Sequence, residues 1–174
     1  MISTAYCVTM ADYNAWMNAR MYALCATLSD ADRRKDMGAF FRSIHGTLNH
    51  LLACDLQFLA SFTQDADFTA SDGGLHERFD DLHRHRLAVD ARLRQWALSI
   101  GPAWLEAAST YTHGGDGTVR TVTRGFWVVH MFNHQTHHRG QITTLISQLG
   151  HDIGSTDLHM CVPLPGQGGP PAGQ

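Results

Sequence analysis

Glutamate is nearly missing from this chain of 174 residues: only Glu77 and Glu106 occur. A carboxylate-bridged di-iron centre of the ferritin kind needs several glutamates and Glu-x-x-His pairs, so that chemistry is excluded. Cysteine is sparse and scattered. Cys7, Cys25, Cys54 and Cys161 form no Cys-x-x-Cys pair, which argues against a zinc ribbon, a redox dithiol and a disulfide framework and leaves buried free thiols. No apolar run reaches the roughly 20 residues of a membrane span, and the first residues lack the charged and apolar regions of a signal peptide. The expected location is therefore the cytoplasm, with no membrane partner. The net charge of −3 supplies no basic stripe for a phosphate backbone, so nucleic acid is not an expected partner. His-Glu-x-x-His, Gly-x-Ser-x-Gly, Walker and Gly-x-Gly-x-x-Gly motifs are all missing, which removes serine-type hydrolysis and nucleotide binding.

What the chain does have is histidine, 12 in all, and helical periodicity. Met10, Tyr13, Met17, Met21, Leu24 and Leu28 recur every three or four residues. A second segment, from about Gly38 to Phe62, carries Phe41, Ile44, Leu48, Leu51, Leu52, Leu59 and Phe62 on one stripe. The third shows Leu75, Phe79, Leu82, Arg86, Val89, Leu93, Trp96 and Ile100 close to a heptad seam, ended by Gly101-Pro102. The fourth runs from about Arg124 to Leu149 and stops at Gly150, suited to a left-handed cap. Between the third and fourth segments, β-branched stretches from Ala108 and from Thr118 flank Gly114–Gly117 and predict a short β-hairpin. Four helices with one apolar face each bury those faces most simply against one another. The expectation is an all-α, four-helix bundle with a long crossover connection, spanning residues 1–160, followed by a Pro/Gly-rich flexible tail over 161–174.

The chemistry concentrates in His130-Met-Phe-Asn-His134-Gln-Thr-His137-His138-Arg-Gly-Gln141. His134 and His138 lie one helical turn apart, about 40° around the axis, and two imidazoles so spaced can meet one ion. Trp127, His130, His134, Gln141 and Leu145 share one face, which places the imidazoles on the stripe the helix is expected to bury. Buried neutral imidazoles side by side need polar partners, and a shared metal serves several at once. A third ligand must come from another helix. His45 and His50 in the second segment are equal candidates on periodicity. His50 sits on a strip with Ser43, Thr47, Cys54 and Ser61 that either faces a cleft or is solvated. His76, His83 and His85 fall among many charges and are expected to be solvated.

Three stretches together resemble the DinB (damage-inducible protein) family of DinB/YfiT-like metalloenzymes. They are Tyr13-Asn-Ala-Trp16-Met-Asn18-Ala-Arg20, Gly46-Thr-Leu-Asn-His50-Leu-Leu-Ala-Cys-Asp55 and Asn133-His-Gln-Thr-His-His-Arg-Gly-Gln141. The resemblance implies a four-helix bundle with a divalent metal, zinc or nickel, on His50, His134 and His138, so it selects His50 over His45. It implies a homodimer, and thiol-dependent transfer chemistry with a small thiol cosubstrate and a small-molecule substrate. Three neutral nitrogens leave a divalent ion its full charge, able to acidify a thiol for transfer or, as the variant, a water for hydrolysis. Asp55, Asn133 and Gln141 are candidates to orient the imidazoles through hydrogen bonds. Tyr13, Asn14 and Trp16 are candidates to line a pocket, although core packing explains the aromatic pair better. The competing expectation is a non-catalytic, dimerising stress-response protein in which the ion only joins two helices.

Overall fold

The computed structural model describes residues 2–64 and 76–161. Leu75 and residues 162–174 of the predicted tail lie outside the described residues; Cys161, at its expected start, ends a 3-10 turn over Leu158–Cys161 instead. The chain is mostly helical, with one small two-stranded sheet.

Helix α1 spans Thr4–Thr27; the Ser3 hydroxyl caps it by accepting from the Tyr6 amide at 3.1 Å. Helix α2 is a short turn, Asp30–Arg34. Helix α3 spans Ile44–Thr63, with Ser43 Oγ accepting from the Gly46 amide at 3.1 Å. This start lies later than the pattern predicts. Residues 38–43 instead form a tight turn, with Gly38 and Arg42 at positive φ and an Ala39–Arg42 bridge. Phe41 therefore lies outside the helix. Helix α4 spans Phe79–Ser99, and Pro102, whose ring suits a first helical turn, opens α5 at Pro102–Glu106.

Strands β1, Ala108–Thr112, and β2, Val119–Thr123, pair antiparallel with Thr110 opposite Thr121. Gly117 takes the positive φ of the turn, and Asp116 Oδ1 accepts from the Thr118 amide at 3.0 Å. Thr123 then caps α6, Arg124–Gln148, by accepting from the Phe126 amide. At its far end Gly150, φ 84°, closes a Schellman cap in which the His151 amide reaches the Ile146 carbonyl.

The main contacts between the long helices run α1 to α4, α4 to α3, α3 to α6 and α6 back to α1, a closed ring around one core. That core holds Met17, Met21, Leu48, Leu52, Leu59, Leu82, Leu93, Met131, Phe132 and Ile142, all nearly inaccessible. Polar residues from all four helices meet inside it. Asp55 of α3 and Asp90 of α4 flank Arg86 of α4 at 2.6 and 2.8 Å. Asn18 of α1 donates to Asp90 at 2.9 Å, and Gln135 of α6 donates to Asp55 at 2.7 Å. Each charge is paired, as burial demands. Burial also raises the Asp90 carboxyl, against the lowering pull of Arg86 and Asn18.

The segment after α6 folds back on α1. Tyr13 donates its hydroxyl to the Thr156 carbonyl at 2.6 Å, and Arg20, stacked over Trp16 at 4.6 Å, donates to the carbonyls of Ser155 and Ile153.

Candidate metal centre

His50 of α3 and His134 and His138 of α6 converge. Their Nε2 atoms stand 3.2 Å (50–134), 3.2 Å (50–138) and 3.1 Å (134–138) apart. Within the described residues these three form the one cluster whose ligand atoms fit a common ion. Ligands about 2.0–2.1 Å from a shared tetrahedral ion stand roughly 3.3–3.4 Å apart, so the spacing fits.

The protonation pattern fits as well. Gln141 Oε1 can only accept, so the 2.7 Å contact from His138 Nδ1 places a proton on that nitrogen and turns the Nε2 lone pair toward the other rings. His134 Nδ1 is buried with no hydrogen-bond partner among the described residues. Burial, reinforced by His138, His50, His130 and His137, pulls His134 down to about 4. Burial lowers His50 too, with His138 adding to the effect, and it lowers His138 against an opposing hydrogen bond to Gln141. Three imidazoles whose proton affinity is lowered and whose Nε2 atoms face one another suit a cation.

The imidazoles sit at the edge of the buried face, not at its centre. Val128, Met131, Gln135, Ile142 and Ile146 define that centre on α6; His138 lies just inside, His134 is half-buried and His130 is exposed. This corrects the reading that the whole line of histidines points into the interior. Met131, Gln135 and Arg139, one position on from His130, His134 and His138, are almost fully buried and take the middle. His137 is exposed and outside the cluster. His45 is buried, with its Nε2 at 2.9 Å from the His76 carbonyl. His76, His83 and His85 are half-buried rather than solvated, because His76 pairs with His85 at 2.8 Å and His83 stacks on Tyr22.

Of the candidate supporting residues, Gln141 touches an imidazole. Asp55 spends its oxygens on Arg86 and Gln135, and Asn133 is exposed with no side-chain hydrogen bond among the described residues. Tyr13 holds the segment after α6, Trp16 stacks under Arg20, which also bonds to that segment, and Asn14 is buried on α1. Phe41, which periodicity places on a helical stripe, instead stacks on His50 with ring centres 3.8 Å apart. Gly46 permits this: a Cβ there would collide with the Phe41 carbonyl oxygen.

Beside the triad opens a cavity of about 410 Å3, lined by Cys54, Gln57, Phe58, Ser61, Phe62, Ser109, Thr110, Tyr111, Trp127, His130 and His134. The strip containing His50, Cys54 and Ser61 thus faces a cleft. Cys54 Sγ lies 3.6 Å from His50 Nε2, and burial, aided by the Asp55 carboxylate, pushes its thiol up to about 11.

Helices that bring three imidazoles to one point beside a cavity define a helical protein with a candidate metal site of the three-histidine type. Residues 1–162 match the model of the DinB family, and the chain belongs to that family. No curated protein matches it. Within the described residues, no helix is long and apolar enough to cross a membrane.

Proposed function

We propose that His50, His134 and His138 hold one divalent cation, zinc or nickel, and that the chain is a metal-dependent enzyme of the thiol-dependent transferase kind built on a four-helix bundle. The observation that carries the reading is the convergence of three Nε2 atoms within 3.1–3.2 Å at a half-buried edge that borders a cavity. When bound, the cation would supply Lewis acidity to a thiol or water nucleophile. The residues of the chain do the rest. Gln141 holds the His138 ring in one tautomer, Phe41 covers the face of His50, and the lowered proton affinity of the three rings keeps them neutral at pH 7. Phe58 meets the His134 ring edge-on with ring centres 6.2 Å apart.

The competing role, an ion that merely ties α3 to α6, has less to support it. Those helices are already joined through Asp55 and Gln135 and by packing.

The test is the metal content of protein purified without a polyhistidine tag, together with anomalous scattering at the ion. One ion per chain on three imidazoles with a fourth position free of protein is expected. A fourth protein ligand would turn the assignment toward the tying role, and metal-free protein that takes up neither zinc nor nickel would end it.

A further inference from the structure

The cavity beside His134 has aromatic walls and uncharged polar groups. Phe58 and Phe62 of α3, Tyr111 of β1 and Trp127 of α6 supply the rings, and Gln57 and Ser61 supply neutral hydrogen-bonding groups. Among the described residues, no Asp, Glu, Lys or Arg side chain lines it. From this we infer that the cavity binds a neutral aromatic small molecule bearing a hydroxyl or carbonyl, and that this is the substrate class of the site.

Three observations converge on that chemistry. Its volume of about 410 Å3 falls within the roughly 300–1,000 Å3 of small-ligand pockets. The rings are braced from behind. Phe62 stacks on Trp96 at 4.9 Å and meets Trp104 edge-on at 5.6 Å, while Tyr111 meets Trp127 edge-on at 4.9 Å. Braced rings lose little freedom when a flat molecule lies against them, which favours binding. Along these walls an ionic ligand would shed water without meeting a charged side chain of the described residues, a cost that a neutral ligand avoids.

The hairpin has a purpose in this arrangement. Strand β1 brings Ser109, Thr110 and Tyr111 to the wall opposite no helix of its own, so the two-stranded insertion between α5 and α6 completes a pocket that the helices alone leave open. His134 and Cys54 mark the end of the cavity nearest the triad, and the reacting end of the bound molecule belongs there. As a substrate pocket this assignment rests on the metal-dependent enzyme reading; as a binding site it does not.

The test compares 1-naphthol with naphthalene-1-sulfonate, by calorimetric titration into the full chain and into three variants. The expected result is saturable one-to-one binding of 1-naphthol at least tenfold tighter than the sulfonate. Trp127→Ala should weaken it at least tenfold. Ser61→Asp, an exposed helical position that tolerates the change, should do the same by placing a charge at the wall. Leu87→Ala, at an exposed position of α4 that does not line the cavity, should leave 1-naphthol binding within about threefold. Equal or tighter binding of the sulfonate overturns the inference, as does naphthol binding indifferent to both Ser61→Asp and Trp127→Ala. Binding that Leu87→Ala weakens as much as Trp127→Ala does would come from elsewhere on the chain and would overturn it too. Metal content measured on the same wild-type sample reports separately on the triad, so either assignment can fail alone.

Discussion

Gln135 donates from Nε2 to Asp55 Oδ1 at 2.7 Å across the α3–α6 interface. Gln135 follows His134 directly, and Asp55 stands five residues beyond His50, so this buried bond fixes the register in which the ligands of the two helices face each other. Asp55 in turn holds Arg86 of α4, whose other partner, Asp90, accepts from Asn18 of α1. The four long helices are thus tied by polar groups just beneath the candidate metal site.

Breaking that tie has a calculable direction. Asp55→Ala leaves the Arg86 guanidinium short of one of its two carboxylates inside the core, and removing one partner of a buried ion pair costs about 3–5 kcal/mol. Gln135→Leu removes one hydrogen bond to a charged acceptor, a loss of about 1.5–3 kcal/mol. Urea unfolding of the metal-free chain measures both. A loss below about 1 kcal/mol for Asp55→Ala would mean that the buried network does not hold the helices.

The His138 ring depends on Gln141 for its tautomer. Gln141→Leu takes away the acceptor for the Nδ1 proton, and loss of such a supporting partner lowers metal affinity about 10–100-fold. Gln141→Glu keeps an acceptor at the same reach and should restore most of the affinity. Competition with a chelator of known affinity reads both variants. Equal affinity in wild type and Gln141→Leu would remove Gln141 from the site's support.

Acid should weaken the metal-free protein before its carboxylates titrate. Burial lowers the proton affinity of His134, to about 4, and also of His50, His138, His45 and His85. In the unfolded chain each takes up its proton near 6.5. Between those limits the unfolded chain binds more protons than the folded one, so stability falls as pH drops from 6.5, and the His134 contribution to that fall is complete only below about 4. Above 6.5 these groups contribute no pH dependence. Urea midpoints recorded with chelator from pH 7.5 to 5 should be flat at first and then decline, with a shallower decline in His134→Asn. A flat profile down to pH 5 would contradict the burial of these rings.

Much of this site was legible before any coordinates, and the failures have physical causes. The i, i+4 spacing brings His134 and His138 to one point because a helix turns 100° per residue. It could not choose between His45 and His50, since both sit on polar shoulders of α3, and only a motif match separated them. The seam through Phe79, Leu82, Arg86 and Val89 did mark Arg86 as buried, yet nothing local named Asp55 and Asp90 as its partners, because those pairings are tertiary. Phe41 was misplaced for a similar reason. Apolar periodicity carries on through residues 38–43, while Ser43 as a cap and the positive φ of Arg42 end the helix there. Ser43, a residue type favoured at the N-cap, is the local cue that the helix begins after Phe41.

That placement gives Gly46 a measurable role. A Cβ at residue 46 would strike the carbonyl oxygen of Phe41, a backbone atom that cannot rotate aside, so Gly46→Ala must push the 38–43 turn away from the start of α3. Overpacking of this kind costs about 1–3 kcal/mol. The turn carries the Phe41 ring off His50, where it now stacks at 3.8 Å, and the imidazole loses its lateral support. Gly46→Ala should therefore both lower the unfolding midpoint and weaken metal affinity. Phe41→Ala, which removes the ring and leaves the turn in place, should weaken metal affinity with a smaller loss of stability. If Gly46→Ala lowers stability while metal affinity and Phe41→Ala both stay at the wild-type value, the stacked ring is packing only, and His50 is positioned by α3 alone.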